Sequence, residues 1–208
     1  MDKLGIKGTL YDFLGYVIPG LTFIVGLVAL FAYKENSDIS AIAKNFLDVK
    51  VGVVASALIL ITAYILGHIF ASLSSILFER RGKNLSLKKH YEIDPKQVGE
   101  KFRTYYEKIF GNDSEIEFRN VIAYSEEKTK AVYDTAFVFL SIYGFSRNTS
   151  MALFFVLIAN FIVLDYTAWN VWVILGLILG IVALIHNYLR FREYYVKQIF
   201  ASLTVPLD

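Results

Sequence analysis

His68 and Ser72 lie four residues apart in a stretch without charged side chains, a spacing that sets an imidazole base and a hydroxyl on one helix face. The pair is half of a hydrolytic apparatus. A working Ser–His pair also needs an acidic group to orient the imidazole, and none is near in the sequence. The rest of the chain offers no substitute. Three dispersed histidines form no H-E-x-x-H, there is no G-x-S-x-G, and Arg and His do not occur at the short spacing of HEPN ribonucleases. With no cysteine, the sequence has no disulfide, thiolate metal site or cysteine nucleophile. The expectation is a protein that is not an enzyme, with no catalytic residues, no metal ligands and no cofactor.

Without catalysis, the same residues read as part of a helix bundle. Tyr64, His68 and Ser72 recur every fourth position and form one polar stripe. Polar groups within an apolar helix face a bundle interior or a water-filled cavity, so His68 is either hydrogen-bonded in a core or lines a pore. Asn160, His186 and Asn187 extend this set, the last two close enough to the end of their segment to be interfacial. Beside the stripe, Ala63, Gly67, Ala71 and Ser75 put a small residue at every fourth position, and Gly176 and Gly180 repeat that spacing. Such rows let helix backbones approach closely, within one chain or between copies. Pro19 removes a helical hydrogen bond and Gly20 loosens the next turn, so the two form a candidate hinge.

The elements that must position these residues are transmembrane helices. The 208 residues are 56% hydrophobic and 19% charged, against about 45–50% and about 25% in soluble domains. The apolar residues are gathered into charge-free runs: 13–33, 51–78, 148–164 and 171–189. A helix needs roughly 20 such residues to cross a bilayer. The third run has 17, and the alternative is that the apolar stretch 135–145 joins it. The shorter span is preferred here because it leaves Arg147 unburied. For the first span a cleaved signal peptide competes, with Lys3 and Lys7 ahead of it and Ala29 to Ala32 near its end. Its apolar run is long for that role, and Asp2 and Asp12 dilute the positive start. No Asp, Glu, Lys or Arg lies in any span, which argues against transport coupled through a buried carboxylate.

The expected fold is all-α: four transmembrane helices as two hairpins, with a helical cytoplasmic insert between helices 2 and 3. Residues 1–78 hold the first hairpin, 79–147 the insert, 148–189 the second hairpin and 190–208 the tail. Of the Lys and Arg residues, 18 fall on the side of the insert and both termini and 3 on the other. The positive-inside rule makes the first side cytoplasmic and the protein a multi-pass membrane protein with both termini cytoplasmic. Within the insert, Asp94-Pro95 starts one helix, whose apolar face is Val98, Phe102, Tyr105 and Ile109. Ser114 with Glu117 starts a second that runs on toward the membrane. Arg80, Arg81, Lys83, Lys88, Lys89 and Arg147 form a basic patch, read either as an anchor on anionic headgroups or as a docking site for a nucleotide-type ligand or a soluble partner. It lacks phosphate-loop spacing, and a net charge of +2 gives no reason to expect stable duplex nucleic-acid binding.

The run Tyr11-Asp12-Phe13-Leu14-Gly15-Tyr16-Val17-Ile18-Pro19-Gly20, opening a four-span chain with a helical insert, resembles small bacterial membrane proteins of antiphage defence systems. The membrane components of the Hailong and Kiwa systems and four-span accessories of RNA-targeting CRISPR systems have this shape. The resemblance implies a homo-oligomer that senses or executes infection at the inner membrane, often by depolarisation. It carries over no functional residue. The expected function is an oligomeric, channel-like effector gated through its insert; the competing reading is a non-conducting sensor or scaffold that recruits a soluble partner.

Overall fold

A computed structural model describes residues 10–35, 52–79, 118–164 and 168–202. Among them all regular structure is helical: α1 (Leu10–Lys34), α2 (Val53–Ser74, continued by a π-wound turn Ser75–Glu79), α3 (Phe118–Lys128), α4 (Lys130–Val163) and α5 (Ala168–Ala201). Four helices, Leu10–Lys34, Val54–Phe78, Lys130–Val163 and Val171–Ala201, are long and apolar enough to cross a membrane. Their apolar character continues to the outside, where Val54, Ile162, Trp172 and Leu179 are each more than two-thirds exposed. That is the distribution expected of a lipid-facing surface and not of a soluble one.

Two compact units divide the chain at Leu77/Phe78, Leu140/Ser141 and Tyr188/Leu189. In the first, α1, α2, the later part of α4 and the earlier part of α5 pack together. Tyr16 lies against Gly67 and Gly20 against Ala63, so α1 and α2 run antiparallel. Tyr11 meets Gly144 and Gly26 meets Val156, so α1 and α4 run parallel. Gly180 on Leu153 and Tyr188 on Tyr143 make α5 antiparallel to α4. The core of this unit is Phe70, Met151 and Ala152, flanked by Phe23, Leu66, Leu73 and Phe155. Phe23 and Phe70 meet edge-to-face at 5.2 Å between ring centroids, a favoured aromatic geometry.

In the second unit, Val121 and Tyr124 of α3 are buried, as are Ala136, Val196 and Ile199. Phe139, Phe191 and Tyr194 form an aromatic group with centroids 5.7–6.1 Å apart. Helices α3 and α4 are separated by Thr129 alone. Its hydroxyl and N–H both turn back to the Ser125 carbonyl at 3.1 Å, while its own carbonyl accepts the N–H groups of Val132 and Tyr133. This is the local side-chain competition with the helix ladder that threonine offers.

The third span differs from the sequence expectation at its start. The sequence begins it at Asn148, but α4 is one helix from Lys130, and the first unit takes it in from Ser141. Arg147, kept out of the span to leave it unburied, is 8% exposed. Burial is tolerable because polar and aromatic groups of the same helix surround the guanidinium. Phe118–Lys128 forms α3; the proposed Ser114 cap and the whole Asp94-Pro95 helix lie outside the described residues, as do Arg80, Arg81, Lys83, Lys88 and Lys89.

Candidate functional site

The buried polar residues of the first unit converge on one place. Asn148, 1% exposed, donates from Nδ2 to the Gly15 carbonyl of α1 at 2.7 Å. Its Oδ1 accepts from Arg147 Nε at 3.1 Å and from Ser74 Oγ of α2 at 2.9 Å. The Ser74 hydroxyl is shared with the Ala71 carbonyl at 3.0 Å. One carboxamide therefore joins three helices. Because the Arg147 Nε–H can only donate and the Gly15 carbonyl can only accept, the amide orientation is set by its neighbours.

Arg147 continues the network. Its Nη1 donates to the Tyr143 hydroxyl at 3.3 Å, and the guanidinium lies 5.4 Å from the centroid of that ring. Tyr143 in turn stacks on Tyr188 of α5 at 5.2 Å. Ser150 Oγ donates to the Arg147 carbonyl at 2.7 Å. A cation taken from water into a helix bundle is costly unless its hydrogen bonds are met, and these contacts meet part of that requirement. Elsewhere on α4, Thr149 Oγ1 and Asn160 Nδ2 are buried without a hydrogen-bond partner.

The other candidate residues separate into an inner and an outer set. Pro19, Gly20, Ala63 and Gly67 are buried at the α1–α2 contact. A Cβ on Gly20 would fall inside the Ala63 carbonyl, and one on Gly67 inside the Tyr16 carbonyl, so the two backbones touch there. Ala71 and Ser75 are half-buried. Gly180 lies against Leu153, whereas Gly176 is exposed with nothing within 4 Å of where a Cβ would sit. Asn160 is interior. Tyr64, His68, Ser72 and His186 are exposed or partly so, and Asn187 is no more than half-buried.

The polar stripe of α2 therefore faces away from this chain's own bundle. His68 stacks on Tyr16 at 3.8 Å between centroids and meets Tyr64 edge-on at 4.5 Å. Ser72 Oγ donates to the His68 carbonyl at 2.9 Å. The imidazole nitrogens make no hydrogen bond to any described residue. Nothing here orients His68 toward Ser72 as a base. Among the described residues no group of His, Asp and Glu is gathered as metal ligands would be.

Sequence reasoning missed Asn148, Ser74, Tyr143 and Gly15 as a set. One signal for it was present: Pro19 has no N–H to give the preceding turn, so a carbonyl of residue 14 or 15 loses the donor that π or α winding would supply. No family model, curated protein or solved structure matches the chain.

Proposed function

We propose that this chain is the subunit of a homo-oligomeric, channel-like effector of the bacterial inner membrane, with termini and insert cytoplasmic, that disrupts membrane potential when gated through the insert. The alternating directions of α1, α2, α4 and α5 support the two-hairpin arrangement, and the 18-to-3 division of Lys and Arg supports the orientation. The role in antiphage defence rests on the resemblance over residues 11–20.

One observation carries the oligomeric channel. Within the chain, α1 and α2 meet backbone to backbone, which leaves no path between them, while Tyr64, His68 and Ser72 point outward from a helix apolar enough to span a bilayer. An imidazole facing hydrocarbon with neither nitrogen bonded is unfavourable. Further copies packed around the α2 face would enclose the stripe, so the conducting path lies between copies and not inside one. The test is ion flux from liposomes holding the purified full-length protein, with and without candidate nucleotides. Flux is expected, and His68→Leu should reduce it at least about tenfold without unfolding an already exposed site. Absence of flux under every condition overturns the channel and leaves the scaffold reading.

A further inference from the structure

Pro19 stands in the first turn of the α-wound part of α1, Ile18–Lys34, directly after a π-wound turn, and has no N–H. In α-helical spacing residue 19 would donate to the carbonyl of residue 15. That carbonyl receives Asn148 Nδ2 instead, at 2.7 Å. The neighbouring turn is also irregular: Phe13–Val17 are π-wound, with the Ile18 N–H on the Phe13 carbonyl. Turns of this kind gather at functional positions. The amide that fills the gap is held from two helices, by Arg147 Nε on α4 and by Ser74 Oγ on α2. A backbone carbonyl of span one is thus hydrogen-bonded to a side chain that belongs to span three.

We propose that Asn148 is a detachable cap that makes the conformation of the first turns of α1 conditional on the position of α4. A backbone N–H moves with its own helix; a borrowed side chain leaves when the lending helix rotates or shifts. An unmet carbonyl in a buried setting is costly, so withdrawal of Asn148 favours a rewinding of residues 11–19. Those residues carry Tyr11 and Tyr16, whose rings pack on Gly144 and His68, so the change reaches the polar stripe directly. Asn148 itself lies on an uninterrupted helix that begins at Lys130, within the residues 79–147 read as the insert. The consequence for conduction rests on the channel reading above; the cap does not.

Four full-length proteins test the cap: the wild type, Asn148→Ala, Pro19→Ala and the double variant. Asn148→Ala should lower the melting temperature in detergent micelles. In the double variant the backbone N–H restored at position 19 supplies the Gly15 carbonyl, so measured against Pro19→Ala most of that loss should disappear. A double variant that loses as much as Asn148→Ala shows that Asn148 is only packed in place, and overturns the proposal. Should Asn148→Ala fail to fold, Ser74→Ala removes one of the groups that orient the amide; its smaller loss should also be relieved by Pro19→Ala, and lack of relief is equally fatal. In liposomes, Asn148→Ala should leak without an activator and the double variant should not. Recovery of melting temperature with no flux from any variant supports the cap and removes the channel.

Discussion

Gly20 and Gly67 do the same thing on opposite helices: each lets a carbonyl of the partner backbone come where a Cβ would otherwise stand. A backbone carbonyl cannot swing aside as a flexible side chain can, so Gly67→Ala must push α1 away from α2. Overpacking of this sort costs about 1–3 kcal/mol, and the expected outcome is a lower melting temperature and easier loss of the Tyr16–His68 stack. Gly176 gives the control. Its surroundings are open, so Gly176→Ala should be neutral or stabilising by up to about 1 kcal/mol through helix propensity alone. Thermal melts of both variants in one detergent check the contrast; equal losses would mean that the small residue at 67 matters for something other than the contact. Of the two small-residue rows read from the sequence, Ala63 and Gly67 serve contact within the chain, while Gly176 has no partner there among the described residues. Spacing alone could not separate these uses, because both need the same residue types.

At the scale of elements, α4 holds the first unit together. It carries Met151 and Ala152 into the core, Val156 to α1, Asn148 to α1 and α2, and Tyr143 to α5. By contrast, α5 is mostly exposed between Val171 and Asn187. Its contacts with α4 among the described residues include the Tyr143–Tyr188 stack and Leu153 on Gly180. An aromatic pair adds about 0.5–1.5 kcal/mol beyond the area it buries. Tyr188→Ala should therefore loosen α5 selectively, and hydrogen exchange in micelles should rise over 171–189 more than over α1 or α2. A uniform rise would show that α5 is as integral to the bundle as the others. The long α4 also places Arg147 inside the packed bundle, where the sequence reading leaves it unburied. Excluding Arg147 assumed that a buried guanidinium has no partners, yet Asn148 and Tyr143 lie one and four residues away on the same helix.

For the whole molecule, the four apolar helices and the uneven placement of Lys and Arg predict a topology that can be tested. The absence of cysteine gives a clean background for testing it. A single cysteine placed within residues 165–170 of the full chain should react with a membrane-impermeant maleimide on intact spheroplasts. One placed at residue 205 should react only after the membrane is opened. The reverse pattern inverts the orientation, and labelling of both sites in intact spheroplasts shows that the fourth helix does not cross the membrane. The proposed oligomer belongs to this scale too, because a stripe that faces outward from one chain has meaning only where another copy or a lipid meets it.

Composition, charge-free run lengths and charge placement were enough to specify four membrane-length helices, since hydrocarbon imposes both length and polarity on any segment that crosses it. The same reading located Pro19 and the helical hydrogen bond that it removes. What the sequence could not name was the donor. Gly15, Ser74 and Asn148 are brought together only when three helices pack, and hydrogen-bond complementarity between residues so far apart leaves no periodic trace along the chain. Tertiary packing likewise decided which way His68 faces. Helical spacing puts Tyr64, His68 and Ser72 on one side of α2, but only the placement of α1 against Ala63 and Gly67 determines that this side looks outward.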